Sequence, residues 1–304
     1  MRHMLSIGDL SREDIERLLG TARALEGPDP LPVLRGKLVL NVFYEASTRT
    51  SSSFELAAKR LSGSTTTVRS SGSSTDKGES LKDTVLTLSA YEPDVIVIRH
   101  PQIGAPAFVV RLTDAHVVNA GDGKHQHPTQ ALLDLYVLQE AFGRLEGLHV
   151  AIVGDVLHSR VARSLVQALR LVGAHTTLVG PPALLPRGIE QLGCEATSEL
   201  GAIAAADVVY VLRMQRERML PGASYVPSLR EYGARWGITP ERLRPGQKVM
   251  HPGPMNRGVE IDARVADGPD SLVLRQVRAG LVVRMAVLHD LVAAGAASRL
   301  GAVA

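Results

Sequence analysis

The chain has 304 residues, 45% hydrophobic and 4% aromatic, with 34 Lys and Arg against 31 Asp and Glu for a net charge of +3. That length supplies cores for two domains of ordinary size, while a slight basic excess without like-charge runs and a shortage of aromatic rings argue against a nucleic-acid partner. One cysteine, Cys194, excludes an intrachain disulfide and a cysteine-rich metal site, and with no apolar run of signal-peptide or membrane-spanning character the sequence predicts a cytoplasmic protein that does not enter the membrane.

In chain order, an opening helix carries Ile15, Leu18, Leu19 and Ala22 on one face. Strands are predicted at 37–43, 65–69, 94–99 and 116–119, where β-branched runs are bounded by Gly, Pro and Asp. A helix starting near Thr50 follows the first strand and buries Phe54, Ala57, Ala58 and Leu61. Another, with Leu81, Val85 and Leu88 inward, follows a Ser, Thr, Asp and Gly stretch that reads as a loop around Lys77. The helix opened by "HPTQALLDLYVLQEAF" has Ala131, Leu132, Leu135 and Leu138 as its buried stripe and ends near Gly143. A second set of strands comes at 148–153, 175–180, 207–212 and 248–250, with a helix after its first strand packed through Ala162, Leu165, Val166 and Leu169. Alternating strands and helices are the signature of parallel sheets, so two sets predict two α/β domains, each a parallel sheet flanked by helices and joined through the "HPTQ" helix.

The chemistry sits where parallel sheets bind ligands, at the carboxyl ends of strands. After the first strand, "STRTSSS" (47–53) packs six hydroxyl residues and an arginine against a helix start, whose N–H groups and dipole favour an anion. Ser47, Thr48 and Thr50 add hydroxyl donors, and Arg49 adds a fork that matches phosphate. Arg99 and His100 end the third strand, and His127 and Gln130 follow the fourth. An N-cap with spare serines explains the first group alone; three strand ends of one sheet carrying polar donors point to a site.

"STRT", "RHP" and "HPTQ", in this order and spacing, resemble the carbamoyltransferase family. "SSTDKGESLKDT" (73–84), "GDVLHSRVARSLVQAL" (154–169), "LRMQRER" (212–218) and "MHPGPMNRGVEI" (250–261) extend the resemblance along nearly the whole chain and look like its aspartate-using branch. The resemblance implies carbamoyl transfer from carbamoyl phosphate to L-aspartate, a step of pyrimidine biosynthesis, with no metal or organic cofactor. It implies a carbamoyl-phosphate domain at 1–136, an aspartate domain at 137–284, a last helix from about 285 packing back on the first domain, and an active site in the cleft between domains. Ser47, Thr48, Arg49 and Thr50 would hold the phosphate, with Arg49 on the leaving oxygen. Thr50, Arg99 and His127 would polarise the carbonyl, Gln130 would bind the carbamoyl NH2, and the Pro252 and Gly253 carbonyls would meet the carbamoyl and amino groups. Arg160, Arg213 and Gln215 would hold aspartate, whose two carboxylates suit two planar guanidinium forks. Ser73 and Lys77 would reach a neighbouring subunit's site, making the active form a homotrimer with shared active sites. The sequence leaves open whether regulatory or dihydroorotase-like chains join it.

Three competing readings are weaker. An ornithine carbamoyltransferase would carry "SMG" and "HCLP", which are absent, and "LRMQRER" would repel an ornithine ammonium. A dinucleotide site at "AIVGDVLHSR" lacks the glycines that let a backbone approach a pyrophosphate, since only Gly154 is present. A non-catalytic scaffold has no reason to keep polar groups at so many strand ends.

Overall fold

A computed structural model of the chain describes residues 1–27, 29–69, 78–219 and 225–301. Contacts divide it into two units, Met1–Leu133 with Arg278–Ala304, and Asp134–Val277. Ser73 and Lys77 lie outside the described residues.

The first unit is a four-stranded parallel sheet of β1 (Leu38–Phe43), β2 (Ser64–Arg69), β3 (Val95–His100) and β4 (His116–Asp122), in the order β2-β1-β3-β4. Every residue of β3 is buried, as its unbroken "VIVIRH" run requires between two covered faces, whereas the Thr-rich β2 alternates at the sheet edge. Helix α1 (Arg12–Ala24) buries the four residues its periodicity picked out and opens on a Ser11–Asp14 capping box. Helix α2 (Thr48–Arg60) follows β1, α3 (Leu81–Ser89) precedes β3, and the short α4 (Ala105–Val110) links β3 to β4.

Helix α5 (Pro128–Phe142) follows β4, and the division between units passes through it. Its expected stripe of Ala131, Leu132, Leu135 and Leu138 is buried, and so are Leu133, Tyr136 and Val137, so the buried surface is wider than the stripe. Burial reaches round the helix from Pro128 to Leu138, and only the last turn, with the exposed Glu140, opens to solvent, so periodicity gives no single face there.

The second unit is a five-stranded parallel sheet of β5 (His149–Val153), β6 (His175–Val179), β7 (Glu195–Thr197), β8 (Val208–Val211) and β9 (Lys248–Met250), in the order β7-β6-β5-β8-β9. The three-residue edge strand β7 escaped the sequence reading because "EAT" has no apolar pattern. Helix α6 (Arg160–Leu171) buries Ala162, Leu165, Val166 and Leu169 as expected. Helices α7 (Leu229–Trp236) and α8 (Ala263–Ala266) precede the long α9 (Val273–Gly301). From Arg278 onward α9 belongs to the first unit, where Arg284 lies 5.2 Å over the Phe54 ring and donates to Ser53 Oγ at 2.7 Å.

Candidate functional site

In the first unit, β1, β3 and β4 are neighbours, so their carboxyl ends share one sheet edge. Helix α2 begins at Thr48, two residues earlier than periodicity predicted, because its first turn is polar and apolar spacing cannot see it. Ser47 is the N-cap residue, in extended conformation, yet its hydroxyl makes no capping bond. Main-chain N–H groups of this turn have no partner within the helix. Five of the six hydroxyl residues divide by role. Ser51 donates back to the Ser47 carbonyl, and Ser53 donates to the Arg49 carbonyl at 2.7 Å, while Ser47, Thr48 and the exposed Arg49 stand at the helix mouth with Thr50 buried behind them.

Arg99 is buried in β3, and its Nε donates to the Ala120 carbonyl at 2.9 Å. The β3–β4 register shifts here: Ile98 pairs with Asn119 but His100 with Asp122, which leaves one extra residue in β4 opposite Arg99. Such bulges re-aim side chains beside sites. Glu45 Oε2 lies 3.9 Å from Arg99 Nε. His100 accepts from the Gln102 N–H on Nδ1 at 3.0 Å, with its ring 4.7 Å from that of Tyr44. Burial holds the His100 imidazole below its ordinary pKa, against the pull of Glu45 and Asp122. His127 and Gln130 are both buried at the start of α5, with Pro128 preset for the first helical position.

One residue of this edge was missed by the sequence reading. The buried Asp122 accepts from Asn119 Nδ2 at 2.9 Å and the Gln126 N–H at 3.0 Å on one oxygen, and from the Gly104 N–H at 2.9 Å and His125 Nδ1 at 3.0 Å on the other. It ties the loop after β3 to the loop that leads into His127. Gly123 completes the junction, because a Cβ there would come 2.8 Å from the Pro101 carbonyl and its φ is +47°.

The second unit repeats the arrangement on β5, β8 and β9, again neighbours. Arg160 is the first residue of α6, buried, behind a Ser159 cap that accepts from the Ala162 N–H at 3.1 Å. Arg213 and Gln215 follow β8, and Arg213 Nη2 donates to Gln215 Oε1 at 3.1 Å, so their side chains meet. Arg213 also grips Glu217, donating from Nη1 at 3.2 Å and again from Nη2. Burial pushes the Glu217 carboxyl up, but the Arg213 hydrogen bond and charge and its own main-chain N–H together hold it below the usual range. Pro252 and Gly253 follow β9 and are partly exposed.

A second overlooked carboxylate serves this edge. Asp155 is fully buried and accepts from His158 Nδ1 at 2.9 Å and from the Gln215 N–H at 3.0 Å. Asp122 and Asp155 each follow a glycine directly at the end of an apolar strand, in "AGD" and "VGD", a shared local pattern that does not name the donors they take.

Among the described residues, no group of three or more His, Cys, Asp or Glu is arranged to hold a metal, and no helix is long and apolar enough to cross a membrane. The edge of the first sheet thus offers hydroxyls, main-chain N–H groups and guanidinium and imidazole donors, a set fitted to a phosphate and a polarised carbonyl. The second edge offers two guanidinium groups, fitted to carboxylates.

The aspartate/ornithine carbamoyltransferase carbamoyl-P binding domain matches residues 2–140, and the Asp/Orn binding domain of the same family matches residues 146–291. The chain is 54% identical over 301 residues to the aspartate carbamoyltransferase catalytic subunit of Sorangium cellulosum, covering 96% of this chain and 93% of that one. It is 50% identical over 297 residues to the one from Syntrophotalea carbinolica, covering 95% and 94%. Among solved structures, aspartate transcarbamoylase from Trypanosoma cruzi in complex with N-(phosphonacetyl)-L-aspartic acid superposes with a TM-score of 0.86 at 33% identity, covering 95% of each chain. The catalytic subunit of M. jannaschii aspartate transcarbamoylase gives 0.84 at 39% identity, covering 96% of this chain and 98% of that one. With both of its units matched, and relatives this similar over nearly their whole length, the chain belongs to the aspartate/ornithine carbamoyltransferase family.

Proposed function

We propose that this chain transfers the carbamoyl group of carbamoyl phosphate to the α-amino group of L-aspartate, giving N-carbamoyl-L-aspartate and phosphate. The amine attacks the carbonyl carbon, a tetrahedral intermediate forms, the C–O bond to phosphate breaks, and the departing phosphate takes up the amine proton. The chemistry asks for two anions to be positioned and for charge on the carbonyl and leaving oxygens to be stabilised, which is work for fixed donors.

The observation that carries the reading is that the two sheet edges, one in each unit, offer different donor sets. In the first unit, Ser47, Thr48, Arg49 and Thr50 hold the phosphate, with Arg49 facing the leaving oxygen. Thr50, Arg99 and His127 polarise the carbonyl and Gln130 takes the carbamoyl NH2. His127 works as a hydrogen-bond donor and need not be a general base. In the second unit, Arg160, Arg213 and Gln215 hold the dicarboxylate, and the Pro252 and Gly253 carbonyls accept from the carbamoyl and amino N–H groups. Ser73 and Lys77 complete a neighbour's site in a homotrimer, which makes the substrates carbamoyl phosphate and aspartate but the working unit three chains. The solitary Cys194 fits a reducing, cytoplasmic setting.

An assay of carbamoyl transfer with aspartate and with ornithine tests the proposal. Product from aspartate alone supports it, and turnover of ornithine in preference would sink it. Sizing the protein purified and in lysate decides whether the trimer stands alone or carries regulatory or dihydroorotase-like chains.

A further inference from the structure

The loop that carries Pro252 and Gly253 is held from behind by a buried hydrogen-bond chain within the second unit. Asp134 of α5 accepts from Tyr210 OH of β8 on Oδ2 at 2.8 Å and from Gln276 Nε2 on Oδ1 at 2.7 Å. Gln276, in the first turn of α9, accepts the His251 N–H on Oε1 at 2.9 Å. The His251 ring continues the chain, because its Nδ1 accepts from the Gly253 N–H at 2.8 Å and its Nε2 lies 3.4 Å from Glu260 Oε1. Asp134, Tyr210, His251, Glu260 and Gln276 are all buried.

The chemistry leaves Gln276 one orientation. A carboxylate accepts and a main-chain N–H donates, so the group between them must present a donor to Asp134 and an acceptor to His251, and the Gln276 amide does both. We propose that Gln276 is a positioning residue for the reaction, fixing His251 and through it the Pro252 and Gly253 carbonyls. This rests on the reading that those carbonyls meet the carbamoyl and amino groups. Gln276 touches no reacting atom in that reading; it acts through the loop.

Two near-isosteric variants separate positioning from bulk stability. In Gln276→Glu the new carboxyl faces Asp134, with Tyr210 beyond it, His251 at its other oxygen and Glu260 beyond the ring, while the neighbouring Arg275 is engaged 3.5 Å from Glu140. Two facing carboxyls share one proton readily but resist full ionisation, which raises the pKa of the pair. The shared proton restores the donor to Asp134 and leaves an oxygen for His251 at low pH, and it is lost as pH rises. Gln276→Leu removes donor and acceptor at every pH.

The expected result is a kcat for Gln276→Glu within about twofold of wild type at pH 6, falling to roughly a tenth or less of wild type by pH 9, since small misplacements of positioning groups cost this much. Gln276→Leu should lose about tenfold or more at every pH with a flat ratio to wild type. Binding of inorganic phosphate, assigned to the first unit, should match wild type in both. Amide hydrogen exchange over 250–256 should quicken in Gln276→Leu, a readout that needs no activity. If Gln276→Glu fails to fold, Gln276→Leu decides by the same kcat ratio and exchange. Wild-type kcat and exchange in folded Gln276→Leu, or a flat ratio near one for folded Gln276→Glu, overturns the proposal. If the wild-type protein carbamoylates no aspartate, the functional reading fails, and exchange alone decides whether Gln276 holds the loop.

Discussion

The Asp155 carboxylate accepts the main-chain N–H of Gln215 at 3.0 Å, so the loop that leads to Arg160 and the loop that carries Arg213 are pinned to one buried charge. The His158 N–H and ring add to the same carboxylate at 3.2 and 2.9 Å. Hydrogen bonds to a charged acceptor contribute about 1.5–3 kcal/mol each. Asp155→Asn keeps one acceptor and loses the charge, so KM for aspartate should rise roughly 10- to 100-fold on that energy scale while carbamoyl phosphate binding is kept. Steady-state kinetics beside calorimetry check it, and an equal loss of both ligands would contradict the assignment.

Arg49 is exposed at the mouth of α2 and supports no core packing. Arg49→Ala should fold normally and lose most activity, chiefly in kcat, because the charge it neutralises is greatest on the departing oxygen. Near-normal kcat would refute the role.

Arg213 makes hydrogen bonds to Gln215 and Glu217 within its own loop, which set its guanidinium before any ligand arrives. Arg213→Ala should weaken aspartate use by about 2–5 kcal/mol, the loss typical of one partner in a buried charge pair. Carbamoyl phosphate binding should persist, and calorimetry that finds it abolished would count against the division of substrates between the two units.

Lys77 is assigned to a neighbour's site, and subunit mixing tests this. Lys77→Ala and Arg49→Ala chains, each inactive, are dissociated, mixed equally and reassembled. In a cyclic trimer each site would take Arg49 from one chain and Lys77 from the next, so about a quarter of sites regain both. Recovery near that fraction supports sharing; none, from mixtures that contain hybrid trimers, excludes it.

Burial lowers the His100 pKa, so the unfolded chain binds this proton more readily than the folded one. The sign follows: below the ordinary histidine value, near 6.5, stability falls as pH drops until the folded group also protonates. His100→Asn keeps an acceptor for the Gln102 N–H and removes the titration. Its Tm should fall less between pH 7.5 and pH 5.5 than that of wild type, and an equal fall by calorimetry would assign the acid sensitivity elsewhere.

Much of this protein is legible locally. The stripe Ile15, Leu18, Leu19 and Ala22, the apolar run of β3 and the polar clusters at strand ends each follow from spacing within a dozen residues, because side-chain direction repeats with the backbone. Only the tertiary structure decided the strand order, which sets β1 beside β3 and β3 beside β4 and so gathers Ser47 to Thr50, Arg99 and His127 on one edge. It also decided that Asp122, Asp155 and Gln276 act as anchors, that Glu217 pairs with Arg213, and that the buried surface of α5 is wider than one stripe. A buried carboxylate or amide is satisfied by donors from other strands and helices: Gln276 meets Asp134 across 142 positions of sequence. No local pattern encodes such a pairing; packing that leaves each buried polar group with a partner selects it.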